Sequence, residues 1–155
     1  YDIAYKEAKS KTWKHKYTTS NSKYTIKGLK EGRLYDVKVA AMSTVYGKLT
    51  AGKYSGTAHR HFGLVKTPVY TAKKSAIGVS VKKLKGVSGY EVLLSKDKNL
   101  KNREIIELKS TSKTKITIKK LKKNTFYFLA VRSYKTYRGN KYTGIRTGIK
   151  KVKTK

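Results

Sequence analysis

A pattern that occurs twice constrains the fold of this chain more than any other feature. Leu29 to Ala41 reads LKEGRLYDVKVAA, and Leu121 to Ser133 reads LKKNTFYFLAVRS. In each copy a leucine is followed six residues later by a tyrosine, and small or apolar residues then occupy every second position. Turn residues that lead into such an alternation indicate a half-buried β-strand. The pattern therefore predicts an all-β chain built from two related units.

Shorter matches around the two copies define the extent of each unit. YDIAY at Tyr1 corresponds to YEVLL at Tyr90, TIKGL to TIKKL and KYSG to KYTG, at separations of 88 to 92 residues. The second unit is predicted to contain seven strands, the last from Lys141 to Ile149 or a little beyond. We assign residues 1–61 to the first unit and 62–155 to the second, joined by a short linker that permits limited bending.

The first unit has no counterpart of the first two strands of the second, so it is predicted to start at its third strand. An incomplete sandwich would expose the core face of a sheet and leave strand edges unpaired. Two explanations stay open: another segment supplies the strands, or residues upstream of Tyr1 are not included. We favour the second, because the chain starts Tyr1-Asp2 without a methionine and is expected to be a fragment.

The chain is strongly basic, with 39 Lys and Arg against 8 Asp and Glu and a formal net charge of +31. Such a charge favours association with polyanions, which include nucleic acid, acidic polysaccharide, teichoic acid and anionic lipid. Lysine outnumbers arginine, which disfavours specific nucleic-acid readout. The alternative is a lysine coat that only keeps the protein in solution. Disulfides and thiolate metal sites are excluded because cysteine is absent, and no apolar run is long enough to span a membrane.

Several short motifs in a fixed order carry a family resemblance. They are GYEV at Gly89, the run from Thr114 to Lys122, the leucine–tyrosine pair and KYTG, and each has at least a partial counterpart in the first unit. In this order they resemble fibronectin type III domains, particularly the lysine-rich versions in surface and secreted proteins of Gram-positive bacteria. One departure is that Ile77 to Val81 stand where many animal relatives have a tryptophan.

This resemblance implies two immunoglobulin-like β-sandwiches in tandem, the second complete. It also implies that Tyr35 and Tyr127 form tyrosine corners, in which the hydroxyl bonds back to the preceding turn. An extracellular or cell-surface location follows from it as an expectation, with other domains of the same polypeptide as partners.

Strand alternation predicts a contact surface on the second unit. If Tyr127 points into the core, then Phe128 and Tyr134 point outward, and Leu93 points outward from the neighbouring strand. Leu93 and Phe128 are then expected to form an exposed apolar patch beside Tyr134, and such patches mark contact surfaces. Together with Tyr137 and Tyr142, these aromatic rings among lysines suit acidic sugars. The alternative is that an adjoining domain or loop covers the patch.

The sequence offers little chemistry for catalysis or metal binding. His59 and His61 alternate along one strand and share a face, but no third ligand lies nearby, so no metal site is predicted. The eight carboxylates form no pair in an apolar context, and motifs of nucleophilic or phosphate-binding sites are absent. We therefore predict a protein that is not an enzyme and holds no cofactor.

These observations lead to one main hypothesis and two alternatives. The main hypothesis is a non-catalytic extracellular spacer of a bacterial surface or secreted protein, whose basic surface associates with anionic cell-wall polymers. The first alternative is a specific adhesion or carbohydrate-binding module that uses Leu93 and Phe128. The second is an accessory region of a larger exported hydrolase.

Overall fold

The computed structural model describes residues 1–18, 21 and 23–155, and this part of the chain contains fourteen β-strands and no helix. The strands of the N-terminal half are β1 (Asp2–Glu7), β2 (Lys14–Tyr17), β3 (Arg33–Ala40), β4 (Met42–Val45), β5 (Lys48–Ala51) and β6 (Ala58–Phe62). Those of the C-terminal half are β7 (Val69–Lys73), β8 (Ala76–Ser80), β9 (Gly89–Ser95), β10 (Glu104–Leu108), β11 (Lys115–Ile118), β12 (Phe126–Tyr137), β13 (Asn140–Thr143) and β14 (Lys150–Lys153).

The C-terminal half is a β-sandwich of two antiparallel sheets. The main sheet has the order β10-β9-β12, and both β13 and β14 pair with β12. The small sheet has the order β11-β8-β7. Alternate residues of β9 and β12 point between the sheets, where Tyr90, Val92, Leu129 and Val131 are fully buried. Burying an aliphatic side chain of this size stabilises the fold by about 1.5–3 kcal/mol. The prediction of an all-β sandwich is confirmed.

The N-terminal half forms one antiparallel sheet of order β2-β1-β3-β6, the N-terminal sheet, and a separate β4-β5 hairpin. The turn of this hairpin places Tyr46 at φ 47° and Gly47 at φ 73°. Arg138 and Gly139 have the same conformation, with φ 49° and 76°, between β12 and β13. Two successive left-handed residues make a type I′ turn, whose twist matches that of the strands it joins.

The last strand of the C-terminal half differs from the prediction of one strand from Lys141 to Ile149. β13 ends at Thr143, and β14 begins only at Lys150. Between them the Thr147 side chain accepts a hydrogen bond from the Val131 backbone N–H at 3.0 Å, replacing a carbonyl of a regular ladder. The single-strand prediction is therefore wrong, because a side chain interrupts the pairing.

No second sheet covers the N-terminal sheet within the part of the chain that the structure describes. The TIKGL motif at Thr25 contains no strand, although the corresponding TIKKL segment begins within β11. The reason is that β11 pairs with β8, and the described N-terminal residues provide no strand equivalent to β8.

Backbone and side-chain contacts join the two halves. The Gly32 and Gly86 turns approach so closely that a Cβ on Gly32 would collide with the backbone of Lys85. The His61 Nε2 atom lies 3.1 Å from the Ser133 hydroxyl, which also donates to the Gly63 carbonyl at 3.0 Å. Residue 61, the predicted boundary, thus lies inside β6 and beside the C-terminal core.

Candidate contact surface

The two repeated tyrosines make the same partly buried hydrogen bond. The Tyr35 hydroxyl accepts from the Lys30 backbone N–H at 2.8 Å, and the Tyr127 hydroxyl accepts from the Lys122 backbone N–H at 3.0 Å. In both cases the donor lies five residues earlier, in the turn before the strand. This is the arrangement of a tyrosine corner, and it fixes each turn against its strand.

The predicted exposure of Leu93 is wrong. Leu93 does point away from the main core, but it is only 2% exposed. It packs with Ala130 and with Leu100, which belongs to the loop between β9 and β10, while Phe128 and Ile149 pack at the margin. The physical reason is that this polar loop folds back, with Leu100 in a left-handed conformation at φ 59°, and places its one leucine over Leu93.

Tyr134 is also buried, contrary to the predicted exposure. It pairs across the sheet with Gly89, and its ring lies over the space that a side chain at that glycine would occupy. Burial, together with a hydrogen bond to the Glu107 carboxylate, raises the pKa of Tyr134 to about 12. The Tyr134 ring therefore occupies the space that the absent side chain of Gly89 leaves on the sheet.

Phe126, which was not among the candidate residues, is exposed on the outer face of the main sheet. Phe126 is 47% exposed, and Phe128 beside it is half-buried. The Lys151 ammonium lies 3.9 Å from the centre of the Phe126 ring, and that of Lys153 lies 5.5 Å away. These four residues form what we call the Phe126 patch. The alternation that directs Phe128 outward applies equally to Phe126, but no pattern in the sequence indicated that β14 would bring two lysines beside it.

The candidates Tyr137 and Tyr142 face the N-terminal half. The Tyr137 hydroxyl donates to the Ala8 carbonyl at 3.2 Å. The His59 ring lies between the two, with ring centres 6.1 Å from Tyr137 and 5.4 Å from Tyr142. Both tyrosines therefore take part in the contact between the halves, and the structure does not bring them together with Leu93 and Phe128 as one patch.

A buried carboxylate organises charges on the outer face of the main sheet. Glu91 is almost completely buried, and it accepts from the Arg132 guanidinium at 2.7 Å and from the Lys141 ammonium at 3.1 Å. Lys141 also reaches Glu107 at 2.9 Å. This second hydrogen bond lowers the pKa of Glu107 and raises that of Lys141. The charges of Glu91 and Glu107 are therefore neutralised by basic side chains of the same sheet.

Carboxylates on the N-terminal sheet are paired in the same way. Asp36 lies 3.4 Å from the Lys6 ammonium and 2.7 Å from His59 Nδ1. Asp2 contacts His15 Nδ1 at 2.8 Å and accepts a hydrogen bond from the Tyr54 hydroxyl. Two of the three histidines are thus held by carboxylates.

His61 has a different environment from His59. It is buried, its Nδ1 atom lies 3.1 Å from the Arg33 carbonyl, and burial lowers its pKa. In the described residues no three His, Cys, Asp or Glu side chains cluster in a way that could hold a metal ion.

Comparisons with known proteins identify the fold. No protein-family model matches the chain, and no curated protein matches it. A segment of two fibronectin type III domains from chicken tenascin aligns with 99% of this chain and 83% of its own, at 16% identity and a TM-score of 0.53. The FN1-FN3 domains of chicken CNTN1 align over 99% of this chain at 20% identity and a TM-score of 0.50. This chain spans only 55% of that structure.

A third similarity involves a single domain. The fn3 domain of human contactin 1 aligns with 59% of this chain and 76% of its own, at 17% identity and a TM-score of 0.51. At such low identities these similarities show the fold alone, which is the fibronectin type III sandwich. Over the described residues, no helix is long and apolar enough to cross a membrane.

Proposed function

We propose that the chain is a non-catalytic extracellular spacer of a bacterial surface or secreted protein, and that its lysines hold it against anionic wall polymers. The two halves are proposed to be tandem domains with a boundary near residue 61, held at a restricted angle by the contacts of Gly32 with Gly86 and of His61 with Ser133.

One observation about charge carries this proposal. The chain has 39 basic side chains, and within residues 1–18, 21 and 23–155 only Lys6, Arg132 and Lys141 lie within 4.0 Å of a carboxylate. Nearly all of the excess positive charge is therefore available to an external polyanion. Release of the counterions that surround such a polymer favours association.

The distribution of charge favours the C-terminal half as the region that binds a polyanion. Residues 63–155 carry 26 basic and 4 acidic side chains, a difference of +22, against 13 and 4, or +9, in residues 1–62. On β14 Lys151 and Lys153 share the face of Phe128 and Phe126, and Lys150 and Lys155 lie in the same short segment. A linear polyanion can meet several of these ammonium groups at once.

The test compares polymers at one salt concentration of about 50 mM. Polyglycerol phosphate, polyglutamate and dextran sulfate of matched charge density are expected to bind with affinities within about threefold, and neutral dextran is expected not to bind. The control is a variant with Lys150, Lys151 and Lys153 all changed to Gln, expected to bind every polyanion more weakly by a similar factor. Binding of only one polymer would contradict the proposal.

A second candidate function is a carbohydrate-binding module, and the Phe126 patch favours it. An exposed ring with two adjacent ammonium groups suits stacking of a sugar that carries an acidic group. We expect Phe126→Ser to abolish salt-resistant binding of such a sugar if this function is correct. Tyr46→Ser is the matched control, because Tyr46 is fully exposed at a distant turn. Equal binding by both variants would remove the patch from consideration.

A further inference from the structure

The N-terminal sheet has an apolar face that no other sheet covers in the described residues. The strand register places Ile3, Tyr5, Val37, Val39 and Phe62 on this side, which we call the open face, and Ile3 and Tyr5 are buried there. Val39 is 38% and Phe62 36% exposed, and Val37 is half-buried. A groove of about 450 Å³ lies beside Val37 and Val39, and Tyr24 and Ile26 also line it. Apolar side chains left exposed beside a groove mark a place where another element packs.

In the C-terminal half, the small sheet packs on the positions that are equivalent to the open face. Val37 and Val39 correspond to Leu129 and Val131, which lie 92 residues later in the repeat and are fully buried. Ile77 and the other inward residues of the small sheet cover them. Two of the three strands of that sheet, β7 and β8, form a hairpin in which Val69 pairs with Ser80 and Lys73 with Ala76.

The backbone beside the open face is also unpaired. In the C-terminal half β11 binds β8, with Ile116 opposite Val79 and Ile118 opposite Ile77. Its counterpart, residues 23–26, forms no strand and makes no backbone hydrogen bond with another described segment. Extended segments with free N–H and C=O groups are templates for an added strand.

We propose that the open face binds a β-hairpin with the pattern of β7 and β8. One strand of this hairpin pairs antiparallel with residues 23–26, in the register of β8 on β11, and its alternate apolar side chains fill the groove over Val37 and Val39. A hairpin satisfies both observations at once, since it supplies backbone partners for the edge and apolar side chains for the face.

The probe is a capped peptide with the sequence of residues 66–82, which contains both strands of the β7-β8 hairpin. It is titrated into the full ¹⁵N-labelled chain at about 0.5 M salt, where repulsion between the two basic partners is screened within about 5 Å. We expect saturable shifts of the amide signals of Ile26, Val37 and Val39. We also expect hydrogen exchange of residues 23–26 to slow at least tenfold.

Variants locate the binding surface. Val39→Lys is expected to weaken peptide binding at least tenfold, because it places a charge in the groove. Val45→Lys is the control, since Val45 is similarly exposed on β4, away from the open face. A peptide with Ile77 and Val79 both changed to Ser is expected not to bind, because it lacks the apolar residues that would fill the groove.

Three results would overturn the proposal. The first is the absence of saturable shifts up to about 1 mM peptide. The second is shifts confined to β11 and the main sheet, which would mean that the peptide replaces the chain's own hairpin. The third is a dimer of the chain alone that Val39→Lys converts to a monomer, which would assign the open face to a second copy.

Discussion

Val131→Ala and Val39→Ala form a matched pair that tests the difference between the two halves. The valines occupy equivalent positions of the repeat, 92 residues apart, and each substitution removes the same two methyl groups. Val131 is completely buried between two sheets, whereas Val39 is 38% exposed on the open face. The expected difference in stability therefore comes from the environment alone.

The magnitude follows from burial. Two buried methyl groups contribute about 1.6 kcal/mol at about 0.8 kcal/mol each. A closed cavity of about 50 Å³ adds about 1 kcal/mol. We therefore expect Val131→Ala to destabilise its half by about 2–3 kcal/mol. At Val39 water and neighbouring side chains can fill the space, so we expect a loss below about 1 kcal/mol.

Hydrogen exchange measured by mass spectrometry resolves the two halves separately. Peptides that cover β9 and β12 are expected to lose protection about 30- to 150-fold in Val131→Ala, since about 1.4 kcal/mol corresponds to tenfold. Peptides that cover β1 and β3 are expected to lose less than about fivefold in Val39→Ala. Urea unfolding followed by fluorescence of Trp13, the only tryptophan, reports independently on the N-terminal half. Losses of equal size in the two variants would refute the description of the N-terminal face as open.

Three further predictions concern the C-terminal half. Tyr127→Phe removes the acceptor of a partly buried hydrogen bond and is expected to cost about 1 kcal/mol in urea unfolding; an unchanged midpoint would exclude a structural role for the corner. Gly89→Ala places a Cβ against the Leu108 backbone carbonyl and 2.6 Å from the Tyr134 hydroxyl oxygen and is expected to cost about 1–3 kcal/mol, whereas a neutral result would contradict this close packing. Lys141→Met is expected to raise the pKa of Glu107 toward 4.5 in a carboxyl NMR titration. Because that pKa is lowered in the folded chain, its stabilisation is present above about pH 4.5 and lost as pH falls further; an unchanged pKa in the variant would contradict the assigned cause.

Most strands of the C-terminal half and the hydrogen bonds of Tyr35 and Tyr127 could be predicted because they depend on local pattern. The alternation after Tyr35 and Tyr127 determines which side chains face inward, and leucine followed by tyrosine fixes the turn that each hydroxyl reaches. The internal repeat also predicted a difference between the halves, and the described N-terminal residues contain no counterpart of β7 and β8.

The exposed surface could not be predicted from the same pattern. Alternation gives the direction of Leu93 but not the path of the loop whose Leu100 covers it. It also gives the direction of Tyr134, but not its position over Gly89. The lysines beside Phe126 depend on how β14 pairs with β12, and Thr147 shifts that pairing away from the predicted last strand. Surface sites depend on contacts between distant segments, which period-two patterns do not encode.

The salt dependence of polyanion binding tests the proposed function most directly. The affinity of the full chain for polyglycerol phosphate of fixed length is measured between about 50 and 500 mM salt. We expect log K to fall linearly with log salt, by at least a factor of ten overall, and less steeply when Lys150, Lys151 and Lys153 are all changed to Gln. An affinity that does not change with salt, or a slope that the triple substitution leaves unaltered, would contradict association through the lysine surface.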